Sequence, residues 1–192
     1  MASTVEIINR ALLKLSAGRI EALDEDTEEA RHASATWPTV RDAELQAHPW
    51  SFALGRVTLS TVDTAPAFGF ERALQLPADF LRLVMVGESA CDHAAIAWTI
   101  EGKRLLTNAD PGLALLYVRR ITDPTLFSPA FVEAVSCRLA MGLCDVITGS
   151  TSKLQMLEAM HERALAEARR LSSFHRPPQP LVETRGWIGA RS

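Results

Sequence analysis

Several short stretches of the chain combine residue types that carry chemistry in other proteins. Ser150 and Lys153 match Ser-x-x-Lys, a spacing that can set a lysine amine beside an acylating serine. No Ser-Asp-Asn or Lys-Thr-Gly follows, however, and a hydroxyl at a helix start is ordinarily a cap. Cys91, Asp92 and His93 stand together, but a metal needs three or four converging ligands and no second Cys/His pair has matching spacing. His161-Glu162 would open a metalloprotease helix if a second histidine followed at position 165, where the residue is Leu165. Asp24, Glu25, Asp26, Glu28 and Glu29 could attract a cation, yet the positive end of a helix dipole accounts for the same charges. With no glycine-rich phosphate loop and no Gly-x-Ser-x-Gly elbow, the reading assigns no catalytic residue, no cofactor and no metal ligand.

Those residues must be positioned by elements that hydrophobic spacing makes visible. The chain has 192 residues, 47% hydrophobic and 22% charged, enough to bury one sizeable core. Ser3 and Glu6 form a capping box, and Val5, Ile8, Leu12 and Leu15 follow at helical spacing until Gly18, the expected left-handed stop. A second helix is expected from Asp26, with Ala30, Ala33, Trp37, Val40 and Leu45 as its buried stripe and a kink at Pro38. It must end by His48, because the residue before a proline avoids the helical region.

From Arg56 the period changes to two, and six strands are expected at 56–62, 70–76, 81–87, 95–100, 103–107 and 113–121. Ile100-Glu101-Gly102-Lys103 reads as a two-residue hairpin, and short loops make the sheet antiparallel. Helical spacing returns with Phe131, Val135, Leu139 and Leu143, on a helix apolar nearly all round. A final helix, capped by Ser150 or Thr151, runs to about Ser172.

The fold class expected is α+β: an antiparallel four-helix bundle (residues 1–55 and 123–172), an inserted small antiparallel β lobe (56–122) and an extended C-terminal arm (173–192). His48, Pro49, Trp50 and Phe52 are read as an elbow between bundle and lobe.

Net charge is −3, too negative overall to favour a phosphate backbone or anionic lipid. No apolar run is long enough for a bilayer span, and "MASTVEIINR" carries an acid where a signal peptide has basic residues, so a soluble, unexported protein is expected. Three cysteines suit a reducing compartment. The arm differs from the body. Residues 169–192 hold five arginines against Glu183, a net +4 that leaves −7 for the remainder. Pro177, Pro178 and Pro180 favour an extended path, and Trp187-Ile188 resembles an anchor for a partner's pocket. Phe174, Arg176, Arg185, Trp187, Ile188 and Arg191 are the candidate partner-binding residues.

Seven stretches, taken in order, carry a family resemblance: "EIINRALLKLSAGRI" (6–20), "LDEDTEEAR" (23–31), "VRDAELQAHPWSFA" (40–53), "LQLPADFLRLVMV" (74–86), "WTIEGKRLLT" (98–107), "YVRRITDPTLFSPAF" (117–131) and "LAMGLCDVITGS" (139–150). Together they resemble the phage head-to-tail adaptors, the tail tubular protein A-like proteins of short-tailed phages. The resemblance implies a non-enzymatic virion protein, repeated as a homo-oligomeric ring, usually of twelve copies, beneath the portal protein. Such a ring extends the DNA channel, through which DNA passes without sequence-specific binding, and receives the tail nozzle. It works in the neck of the virion after assembly in host cytoplasm, with no membrane contact. The alternative reading is a DNA-contacting packaging or head-completion factor that uses the basic arm.

Overall fold

A computed structural model describes residues 2–62 and 65–174. The first helix, α1 (Thr4–Leu15), starts as its sequence requires: Ser3 Oγ accepts from the Glu6 N–H and Glu6 Oε2 accepts from the Ser3 N–H, at 3.1 and 2.8 Å. Its stop is Ser16 and not Gly18. Ser16 takes the left-handed conformation (φ 61°, ψ 29°) and donates its N–H to the last turn, while its Oγ accepts from Lys153 Nζ at 3.0 Å. A serine tolerates that region at a modest cost because the capping bonds are made there.

Helix α2 (Glu28–Ala47) begins one residue past the cap Thr27, runs through Pro38 as a single element and ends with His48 in extended conformation. The expected cap at Asp26 is thus displaced. Thr27 Oγ1 accepts from the Ala30 N–H, and Asp26 instead lies 3.6 Å from Arg31. A one-turn 3₁₀ segment (Ser51–Ala53) then leads into β1 (Leu54–Thr58).

The β region holds β2 (Arg72–Gln75), β3 (Phe80–Val86), β4 (Trp98–Glu101), β5 (Arg104–Thr107) and β6 (Ala114–Arg119), with a short helix α3 (Ala90–Ala95) before β4. These strands form two antiparallel three-stranded sheets, ordered β1-β6-β3 and β2-β5-β4. The strand expected at 95–100 is therefore shorter, because Ser89 and Asp92 make a capping box that winds the preceding residues into α3. The hairpin turn lies one residue later than expected. Glu101 pairs with Arg104, which leaves Gly102 (φ 59°) and Lys103 as the turn, with glycine at the first central position.

Inner faces of the two sheets meet over Leu59, Leu74, Val86, Leu105, Leu115 and Tyr117. Gly55 pairs across the strands with Tyr117, and a Cβ on Gly55 would lie 2.8 Å from the Tyr117 ring, so glycine is what lets the ring lie flat on the backbone. The phenol donates to Asp79 Oδ1 at 3.0 Å.

After a second 3₁₀ turn (Pro124–Leu126), the chain returns through α4 (Pro129–Thr148) and α5 (Thr151–Ser173). The four-helix bundle expected from the helical spacing is not what forms. Helix α4 sits at the centre, packed most extensively on α5 and then on α1 and α2, whereas α1 and α2 hardly meet. A bundle requires each helix to share one core with two neighbours. Here α4 is buried from Phe131 to Cys144 on most of its sides, so it serves as a hub, and α2 spends part of its surface on β3 and β6. Among the described residues the class is α+β, with five helices and two three-stranded sheets. None of these helices is long and apolar enough to cross a membrane.

Burial, and then the hydrogen bond and negative charge of Asp79, push the Tyr117 phenol above its ordinary range. Since a raised pKa favours the neutral form in the fold, this group stabilises below its unfolded value near 10 and the benefit fades as pH rises through the higher folded value. Tyr117 is the chain's single tyrosine. A spectrophotometric tyrosinate titration should therefore show one midpoint above that of free tyrosine, moved downward in Asp79→Asn.

Candidate functional site

The segment "AHPWSFA" leaves the helical layer, and "ITDPTLFSPAF" brings the chain back. Both crossings meet in one cluster of rings. Trp50 is fully buried, with its ring centroid 5.0 Å from Phe131 and 4.8 Å from His48. Phe52 stands 5.1 Å from Phe131 and 5.8 Å from Phe127, and Phe127 stands 5.0 Å from Phe131. Most pairs are edge to face or tilted, the arrangement that ring quadrupoles favour. The pre-proline break at His48 makes this possible, because it turns the backbone out of α2 two residues before the indole must point inward.

Polar contacts fix how the β region sits against the helices. Trp50 Nε1 donates to the Glu44 carbonyl at 2.8 Å, tying the elbow to the last turn of α2. That last turn carries no basic residue of its own. Arg82 of β3 supplies one, donating to the Gln46 and Ala47 carbonyls at 3.3 and 3.1 Å, and Gln46 Nε2 donates back to the Leu81 carbonyl. Arg120, just past β6, pairs with Asp42 at 2.7 Å. Such exposed pairs typically stabilise by about 0.2–1 kcal/mol each, yet several together define one orientation.

Helix α5 is joined to the same elbow. The Ser51 N–H donates to Ser172 Oγ at 3.2 Å, and His161 Nε2 lies 2.8 Å from Glu44 Oε1. Both members of the second pair are buried, and Glu44 Oε2 has no partner among the described residues. Sequence reasoning missed this pair, although the signal was present: Glu44 falls one turn after Val40, and His161 one turn after Leu157, each inside an apolar stripe.

Ser150, Lys153, Asp92 and His93, singled out for chemistry, make structural contacts. Ser150 caps α5, its Oγ accepting from the Lys153 N–H at 3.3 Å, while the Lys153 ammonium is directed to Ser16 on α1. Asp92 accepts from the Ser89 and Glu88 N–H groups, and the Ser89 contacts hold its carboxyl below the usual range. His93 Nδ1 accepts from the Val86 N–H at 3.1 Å, and Cys91 is exposed. Among the described residues no three His, Cys, Asp or Glu side chains converge as metal ligands. Cys137 lies buried near Glu133, and burial pushes its thiol up to about 11.

Of the partner-binding candidates, Phe174 is described. It is 69% exposed, with the Arg170 guanidinium 5.6 Å over its ring. Arg176, Arg185, Trp187, Ile188 and Arg191 lie outside the described residues, as does the arm from 175 onward. In comparisons with known proteins, no protein-family model matches the chain and no curated protein matches it at a significant level.

Two stability measurements check this account. His161→Leu leaves the Glu44 carboxylate buried with neither oxygen partnered and should cost about 3 kcal/mol, whereas Glu44→Leu with His161→Leu should recover most of that loss in urea unfolding. Ser150→Ala should cost only about 1 kcal/mol, as loss of a helix cap does.

Proposed function

We propose that this protein is a structural connector, a head-to-tail adaptor repeated as a ring under a portal, extending a DNA channel and receiving a tail component. The observation that carries the reading is the elbow. A β region held at two crossings by one ring cluster, and oriented by contacts from Arg82 and Arg120 to α2, offers every copy the same angle between two surfaces. A cyclic assembly needs that constancy, since any angular error is repeated at each interface. Two helices precede the β region and two follow it, and Ser150, Lys153 and His93 make capping and turn contacts within the fold.

In this reading the helical layer and the basic arm face the portal and neighbouring copies, and the two sheets face the next tail component. The alternative, a DNA-contacting head-completion factor, rests on the same arm and predicts salt-dependent DNA binding by the isolated chain.

Deleting residues 175–192 removes the arm while leaving α5 and the elbow intact. The truncated chain should unfold at the temperature of the full chain yet fail to join a portal ring in native mass measurements. Normal joining would remove the arm from the mechanism. Loss of DNA binding with portal joining retained would favour the alternative.

A further inference from the structure

Each three-stranded sheet has two edges, and an edge strand directs every second N–H and C=O away from its partner. Three of the four edges are blunted. Outside β2, residues 60–62 bond the Ala73 carbonyl and the Gln75 N–H. Along β3, Gln46 Nε2 donates to the Leu81 carbonyl, His93 Nδ1 accepts from the Val86 N–H, and two register shifts break the regular spacing. On β1 the exposed Arg56 places a charge at the edge, which deters pairing.

The fourth edge, β4, has none of these protections. Since Ala73 and Gln75 point away from β5, Leu74 exchanges bonds with Leu105, and the alternation leaves Arg104 and Leu106 to bond Glu101 and Thr99. Trp98 and Ile100 therefore turn their N–H and C=O groups outward, where no described residue meets them. Their side chains are half-buried against the core between the two sheets, and Trp98-Thr99-Ile100 carries no charge. Aromatic and β-branched residues favour extended backbone, so this strand is regular, apolar and open along one side.

Such an edge is matched by an extended backbone, which repeats its own donors and acceptors at the same interval of about 6.7 Å. A second copy offering the same edge would pair about a two-fold axis, and that closes a dimer without building a ring. We infer that an extended segment of a different protein, with apolar residues at alternate positions, adds to the β2-β5-β4 sheet beside β4. Its backbone satisfies the outward groups of Trp98 and Ile100, and its apolar side chains extend the cover over those two residues. On the connector reading, on which this choice of occupant rests, the segment belongs to the tail component that the sheets face.

The test mixes the full-length chain with millimolar amounts of a short peptide of alternating valine and threonine between terminal lysines, and reads amide exchange by NMR. The Trp98 and Ile100 amides should exchange fast in the free chain and slow about 10-fold with the peptide, while those of Arg56 and Thr58 stay unchanged. A peptide N-methylated on its bonding amides should not bind. Ile100→Pro removes an outward N–H and no bond of the sheet, and should weaken binding about 10-fold. It is first matched to wild type in thermal unfolding, and Thr99→Lys, a charge on the outer face of the edge, takes its place where it does not match. Unaltered exchange at Trp98 and Ile100, or equal binding by the N-methylated peptide, overturns the site and leaves the connector reading standing. A wild-type dimer lost in Thr99→Lys gives the edge to a second copy, and exposure of these amides only after deletion of residues 175–192 gives it to the arm; either overturns the proposal. Peptide binding along β4 by a chain that joins no portal ring keeps the edge and removes the connector reading.

Discussion

The chain crosses between its helical and β layers twice, and the same rings close both crossings. Trp50 and Phe52 arrive from α2, Phe127 and Phe131 from β6, and their packing joins segments more than seventy residues apart. Without that cluster each crossing would be a separate flexible tether, and the sheets could swing. With it, the pivot is filled with large side chains whose removal would leave cavities of the kind that cost about 3–5 kcal/mol. The rest of the structure inherits its geometry from this packing.

Around the pivot, short polar contacts select one orientation from those that apolar packing alone would permit. Arg82 satisfies the end of α2 from a different layer, so helix termination and sheet placement become one event. Glu44 is the most constrained residue of the group, with its carbonyl bound to the indole and its carboxylate to His161. Hydrophobic burial has no direction, but hydrogen bonds do, and here they lie where the β region meets the helices. The Ser-x-x-Lys spacing also has a structural use in the fold. Ser150 and Lys153 belong to one helix start but serve different neighbours, the cap and α1 respectively.

The helical layer shows how a local reading can be right about each element and wrong about their arrangement. Helical spacing located α1, α2, α4 and α5 within a few residues, since periodicity and capping act over one or two turns. It could not distinguish four equal partners from three helices around a hub. The clue lay in α4, where apolar residues on most sides require neighbours on most sides. Small displacements are local: α1 stops at Ser16 and not Gly18, where the Ser16 and Ala17 N–H groups close on the carbonyls of the last turn.

By itself, the sequence determined the α+β class, the order of the four long helices and six strands, the break at His48-Pro49, the antiparallel pairing and the cap at Ser3, because each depends on neighbours a few residues distant; it left α3 unforeseen and the α5 cap open between Ser150 and Thr151. The tertiary structure alone decided that six strands divide into two sheets, that α4 takes the centre and that Glu44 meets His161. Those outcomes depend on which surfaces can be buried together once every element competes for the same apolar partners. Such competition is settled by shape and volume in three dimensions, and residue spacing along a chain records neither.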